Sequence, residues 1–229
     1  GMPAQPDPSQ MNSVRYSALI VPPIGPWPRF DPPLRLGVMA SGTGSNFEAL
    51  HNATACGDLN AQLCLLVVNK AGCGARQRAA HLGIRCELRD HRHFTSREAL
   101  DQDLVHTFQD EGVEAIVMAG WMRIVTPVLI DAFPGRLINI HPSLLPSFRG
   151  MDAIGQCLTS GAAIAGCTVH EVQKDVDTGP ILAQAAVPVL PGDDKEKLTR
   201  RIQAQEHRLL PWATALAGQR WRKAVSTQG

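Results

Sequence analysis

Asn139-Ile140-His141-Pro142-Ser143-Leu144-Leu145-Pro146 places an amide, an imidazole and two prolines at the end of an apolar run. The residues before it, Arg136-Leu137-Ile138, read as the start of a short buried strand. Side chains alternate faces along a strand, so Asn139 and His141 point the same way. Pro142 has no N–H to give to a sheet ladder, and the strand ends there. A hydrogen-bond donor and a titratable base therefore meet at the carboxyl end of a strand, the edge where open α/β sheets carry their reacting groups. An Asn and a His beside a turn can also do no more than satisfy loop backbone, and the rest of the chain has to decide between the two readings.

Working outward, strands are expected at 34–40, 61–68, 84–88, 115–119 and 136–141. Helices alternate with them at 45–56, 76–82, 96–111, 127–132 and 152–160. Ser45 or Asn46 is expected to cap the first helix, Ser96 caps 96–111 before Gly112 stops it, and Pro127 opens the next. This alternation predicts an α/β, Rossmann-like fold: a mostly parallel, twisted sheet with helices on both faces. Two further strands, 163–172 and 181–189, have no helix between them and are expected to pair antiparallel or to flank the sheet edge. A long helix is expected at 193–210, with 212–217 still helical in character. Residues 1–33 hold nine of the 17 prolines and read as an N-terminal extension outside the fold, with 34–229 as the domain.

A chain of 229 residues, 44% hydrophobic and 19% charged, is long enough for a sizeable core. A net charge of +1 and no basic run exclude a nucleic-acid-binding surface from the expectations. No run of about 18 apolar residues exists to span a membrane. The N-terminus lacks a basic segment followed by an apolar core, so no secretory signal is expected, and Gly1 before Met2 reads as an expression remnant. The six cysteines form no C-x-x-C pair and match no zinc template, which suits buried thiols of a reducing compartment. His91 and His93 lie in a polar loop without a carboxylate or thiol at ligand spacing, so no metal site is expected.

The first strand runs into Ser41-Gly42-Thr43-Gly44-Ser45-Asn46 and then a helix. Such a turn presents backbone N–H groups to an anion. Neither a P-loop lysine nor a third glycine follows, so a single phosphate monoester fits better than a nucleoside triphosphate or a dinucleotide. Gln203 and Glu206 lie three apart on one helix face, suited to a polyol such as ribose or to plain solvent exposure. Asp177 precedes the Gly179-Pro180 turn, either as a turn residue or as a carboxylate that orients an imidazole.

Gly42–Asn46, Ala119-Gly120-Trp121-Met122-Arg123-Ile124, Asn139–Pro146, Gly166-Cys167-Thr168-Val169-His170 and Asp177-Thr178-Gly179-Pro180 occur in that order. Together they resemble the folate-dependent phosphoribosylglycinamide formyltransferases, over about residues 34–218. The resemblance implies the formyltransferase fold and transfer of a formyl group from 10-formyltetrahydrofolate, a co-substrate, to the amine of glycinamide ribonucleotide in purine synthesis, without a metal. It implies that Asn139 donates to the developing oxyanion, that His141 stabilises it as imidazolium and moves protons, and that Asp177 holds His141 charged. It implies that Gly44, Ser45 and Asn46 cradle the acceptor phosphate, with Gln203 and Glu206 near phosphate and ribose. Met122, Arg123, Ile124 and Val125 would wall the folate pocket, and Arg97 would face the folate glutamate.

One departure is Ser147-Phe148-Arg149-Gly150, where many relatives carry proline before the glycine; Arg149-Gly150 is closer to the methionyl-tRNA formyltransferases. The alternatives are a tRNA formyltransferase, a formyltetrahydrofolate hydrolase, or a non-catalytic folate- or nucleotide-binding module. The first usually carries a second C-terminal domain, the second an N-terminal regulatory domain, and the third would be expected to lose one of Asn139, His141 or Asp177. The expected partners are small molecules, with no nucleic acid and no membrane. The chain is expected to be cytoplasmic, as a monomer or a homodimer.

Overall fold

The computed structural model describes residues 18–226. One eight-stranded sheet runs through them in the order β1-β8-β7-β6-β5-β2-β3-β4. The strands are β1 (Leu19–Val21), β2 (Leu34–Ala40), β3 (Ala61–Val68), β4 (Cys86–Leu88), β5 (Ala115–Met118), β6 (Leu137–His141), β7 (Ile164–Glu171) and β8 (Ile181–Pro188). From β6 to β4 all neighbours are parallel; β7, β8 and β1 continue the sheet antiparallel. The helices are α1 (Ser45–Ala55), α2 (Gly74–Leu82), α3 (Arg97–Asp110), α4 (Pro127–Ala132), α5 (Ala153–Ser160) and α6 (Lys195–Ser226).

Alternation along the parallel strands splits the core in two. Val38, Val117, Ile138 and Ile140 face a cluster that includes Phe47 and Leu50 of α1 and Leu209, Leu210 and Trp212 of α6. Met39, Leu65, Ile116 and Leu137 face the other cluster, with Leu104 and Phe108 of α3 and Leu129 of α4. From Leu36 to Ala40 both faces of β2 are buried, so this part reads as an apolar run, as parallel strands do. Gly37 interrupts that run because a side chain there would strike the Phe108 ring.

Two expectations are corrected. Residues 1–33 do not all lie outside the fold. β1 extends the sheet beside β8 (Leu19↔Ala186, Val21↔Gln184), and Trp27 packs edge-on against Trp212 at 5.1 Å. Trp212 Nε1 donates to the Pro22 carbonyl at 2.9 Å, and Phe30 N donates to Asn60 Oδ1 at 2.5 Å. Prolines are tolerated here because an edge strand and a surface strap leave most N–H groups facing water. Residues 1–17 of the extension lie outside the described residues. Second, neither Ser45 nor Asn46 caps α1: the cap is Gly44 in the left-handed region (φ 80°), which has no side chain to give, and Ser45 N reaches only Thr43 Oγ1, at 3.4 Å. The helical character expected on both sides of Pro211 is one element: α6 runs through Pro211 as one 32-residue helix. Proline forfeits one helical hydrogen bond. Burial of Leu209, Leu210, Trp212 and Ala213 in the core offsets that loss.

Candidate active site

β6 ends at His141, and its register with β7 decides what surrounds the imidazole. Asn139 lies opposite His170 and His141 opposite Thr168. Directly opposed residues of an antiparallel pair share a face. One patch at the strand end therefore carries an amide, two imidazoles and a hydroxyl. The Thr168 hydroxyl donates to the Ser143 carbonyl at 2.7 Å and accepts from Leu145 N at 3.1 Å and Gln184 Nε2 at 3.1 Å. Gln184 Nε2 also donates to the Leu145 carbonyl at 2.9 Å. These bonds pin the chain that leaves His141, so the ring is presented by rigid elements.

Asp177 comes to this patch from the turn between β7 and β8. Its Oδ2 is 3.5 Å from His141 Nδ1 and accepts from Gly150 N at 2.9 Å; its Oδ1 is 3.5 Å from His170 Nε2. Burial works against the charge on Asp177, but the His170 ring, the Gly150 N–H and the His141 ring outweigh it and hold the carboxyl below its ordinary range. His141 Nε2 meets the Phe148 carbonyl at 2.8 Å. A carbonyl only accepts, so that nitrogen carries a proton. Phe148 has φ 56° and Asp177 φ 57°, so two residues at the imidazole sit in backbone that non-glycine residues rarely adopt. Asn139 is half-buried and its amide has no partner among the described residues, which leaves it free for a ligand.

The glycine-rich turn lies across β5 from this patch, at the end of β2. Gly44 belongs there because a Cβ would come within 2.5 Å of the Ala75 Cα. That close approach packs α2 against the turn at the N-terminus of α1; helix N-termini in general favour anions. Asn46 Nδ2 donates to Glu206 Oε1 at 3.2 Å, joining the turn to α6. Burial raises the Glu206 carboxyl, and the Asn46 bond opposes that only in part. The buried Asn46 Oδ1 has no partner. Gln203 lies one turn before Glu206 and is exposed. Gly44, Ser45, Asn46 and Glu206 thus meet at one end of α1.

Comparison with known proteins fits this geometry. The "Formyl transferase" family pattern matches residues 34–214. The chain belongs to the formyl transferase family. It is 46% identical over 187 residues to a trifunctional purine biosynthetic protein adenosine-3 of Drosophila pseudoobscura pseudoobscura, which covers 81% of this chain and 14% of that protein. It is 37% identical over 178 residues to the phosphoribosylglycinamide formyltransferase of Escherichia coli, covering 78% of this chain and 84% of that enzyme. The crystal structure of glycinamide ribonucleotide transformylase 1 from Symbiobacterium toebii superposes with a TM-score of 0.80 at 42% identity, covering 82% of this chain and 89% of that one. The chain thus spans about a seventh of the trifunctional relative and most of the single-function ones. Its mostly parallel sheet with helices is the formyltransferase fold of those structures.

The residues that the family resemblance assigns to folate line a different wall of the same edge. Met122 and Ile124 are exposed, 72% and 53%. Among the described residues the N–H groups of Arg123, Ile124 and Val125 have no acceptor, whereas Met122 N donates to Ser41 Oγ at 2.9 Å. The buried Arg123 Nε also lacks a partner. Thr126 ends this segment: its N–H and hydroxyl both donate to the buried Asp101 of α3, at 2.6 and 2.8 Å. Arg97, in the first turn of α3, is exposed, and its side chain makes no hydrogen bond or ion pair among the described residues.

Sequence reasoning left His170, Thr168, Gln184 and Ser41 without roles. The alternation Thr168-Val169-His170 already puts both polar side chains on one face. Only the β6–β7 register shows that this face is the one bearing Asn139 and His141. No group of three or more His, Cys, Asp or Glu residues that could hold a metal ion occurs among the described residues. Nor, among them, is any helix long and apolar enough to cross a membrane.

Proposed function

We propose that this chain transfers the formyl group of 10-formyltetrahydrofolate to the amine of glycinamide ribonucleotide. The observation that carries this reading is the meeting of Asn139, His141 and Asp177 at one strand end, beside an uncapped helix N-terminus. The names of the relatives support the choice of acceptor.

In this reading the amine attacks the formyl carbon, and the carbonyl electron pair becomes an oxyanion. The amide of Asn139 and the imidazole of His141 donate to that oxyanion. Their placement is preorganised, so the stabilisation appears where charge develops. Nδ1 of His141 faces Asp177, so Nε2 is the nitrogen that turns to the reacting oxygen, leaving the Phe148 carbonyl. The oxyanion then collapses and the bond to N10 breaks. The proton lost by the amine reaches N10, with His141 as the nearest acid–base group. No residue of this chain is required to hold a metal.

Gly44, Ser45 and Asn46 hold the acceptor phosphate, and Gln203 and Glu206 contact the ribonucleotide. Met122, Arg123, Ile124 and Val125 wall the pterin, and Arg97 pairs with the glutamate carboxylate. The protein acts in the cytoplasm, as a monomer or a homodimer, on small molecules alone. Incubating it with 10-formyl-5,8-dideazafolate, with and without glycinamide ribonucleotide, tests the reading. Acceptor-dependent deformylation is the expected result; deformylation at the same rate without acceptor identifies a hydrolase instead.

A further inference from the structure

We infer that His170 is a positioning residue of this site: it grips the far oxygen of Asp177, so that the near oxygen is committed to His141. The inference deepens the proposed function and rests on it for its kinetic part.

His170 lies in β7 directly opposite Asn139, with its side chain only 3% exposed. Its Nδ1 is 3.0 Å from the Glu171 carbonyl. Since that oxygen only accepts, Nδ1 carries a proton and the ring orientation is set. Nε2 is then the atom turned toward Asp177 Oδ1, at 3.5 Å. This is an ion-pair distance, long for a hydrogen bond. Nε2 is buried and has no hydrogen-bond partner among the described residues. A carboxylate oxygen only accepts, so the grip requires a proton on Nε2 as well as on Nδ1: His170 meets Asp177 as imidazolium, and the buried nitrogen and the carboxylate oxygen each find their partner in the other.

The backbone brings the two residues together independently of their side chains. Glu171 N donates to the Pro180 carbonyl at 2.9 Å. Gly179 packs so closely on the Glu171 carbonyl that no Cβ fits between them. The turn bearing Asp177 is thereby tied to the end of the strand bearing His170. Asp177 itself has φ 57°, a conformation that persists only where its surroundings impose it. Its side chain has three grips: His170 on Oδ1, His141 and Gly150 N on Oδ2. Remove the first and the carboxylate is free to rotate about its bond to Cβ, and the geometry at His141 Nδ1 is lost.

The test combines kinetics with imidazole NMR. His170→Phe should lower kcat by about tenfold or more, with KM for folate and for acceptor changed by less than about twofold, as expected when an orienting group is lost. His170→Gln keeps an N–H near the position of Nε2 and should retain at least about a third of kcat. In an Asp177→Asn background, His170→Phe should add less than about twofold, because the two residues act as one unit. A folded His170→Phe protein within twofold of the parent kcat, or losses that multiply in the double variant, would overturn the inference. The NMR arm needs neither a folded His170→Phe protein nor formyl transfer. At fixed pH, Asp177→Asn should shift the ring proton resonances of both His170 and His141; an unmoved His170 resonance also overturns it. Parent protein that transfers nothing to glycinamide ribonucleotide strikes the proposed function, while the ring resonances still decide the His170–Asp177 contact.

Discussion

Asp177 Oδ2 stands 3.5 Å from His141 Nδ1, although one residue belongs to a turn between β7 and β8 and the other ends β6. The antiparallel β6–β7 pairing makes the contact. It gives the imidazole a carboxylate on one nitrogen, while the other meets the Phe148 carbonyl.

His141→Ala should lower kcat about a hundredfold or more, since it removes both a charge-stabilising donor and a proton carrier. Binding of the folate analogue should stay within about threefold, because the imidazole acts on the transition state. Steady-state kinetics alongside fluorescence titration of the analogue checks both halves. Turnover above about a tenth of the parent, a barrier change under about 1.4 kcal/mol, would contradict the role.

Gly44→Ala puts a Cβ against the Ala75 backbone at a residue with φ 80°. The strain is expected to cost about 1–3 kcal/mol in stability and to distort the N-terminus of α1. KM for glycinamide ribonucleotide should rise, while KM for folate stays near the parent value. Inorganic phosphate should compete with the acceptor and not with folate. Competition confined to the folate side would remove the phosphate from this turn.

A chain beginning at Leu34 loses β1 and the Trp27–Trp212 contact and uncovers β8 as an edge. Its thermal midpoint should fall by several degrees, and Trp27→Ala alone should cost about 1–3 kcal/mol, as for a partly buried aromatic. Turnover per folded molecule should persist, because none of the catalytic or substrate contacts comes from residues 19–33. A truncated chain as stable as the parent in a melting experiment would show that the strap contributes nothing.

Glu114 joins β2, β6 and α6: Oε1 accepts from Arg35 N and Arg222 Nη2 at 2.9 Å each, and Arg136 Nη1 lies 3.6 Å from Oε2. Burial opposes its charge, but the Arg222 and Arg35 bonds and the Arg136 charge win, holding the carboxyl below its ordinary value. A depressed carboxyl stabilises the fold above its unfolded pKa, about 4.3, and loses that contribution as pH falls through the folded value. Glu114→Gln should therefore cost about 1–3 kcal/mol at neutral pH, and the difference should shrink in acid. Urea titrations of both proteins at pH 7 and at pH 3 to 4 measure it; a difference independent of pH would mean that packing, not charge, is lost.

Much of this protein was legible along the chain. Apolar runs of strand length between helical periods declared the parallel sheet, because parallel strands are buried on both faces. Leu34–Ala40 and Ala61–Val68 begin and end where their composition says. Asn139 and His141 share a face by alternation alone, and Gly44 marks a turn that admits no side chain. The strap was misread for a physical reason: proline content reports local stiffness, whereas its place in the fold comes from Ile20, Trp27 and Phe30, whose partners on β8 and α6 are far away in sequence. The cap of α1 was misread because Ser45 and Asn46 suit a cap locally, while the approach of α2 moves that position back to Gly44.

What the sequence determined by itself was local: the periods, the turns, the face of Asn139 and His141, and the ordered motifs that mark the family. What only the tertiary structure decided was long-range. The partner of His141, the second imidazole on Asp177, the meeting of Asn46 with Glu206 and the docking of residues 19–33 all depend on strand register and helix packing. These juxtapositions have no signature in residue spacing, because it is the closing of distant segments on a common core that brings the groups together.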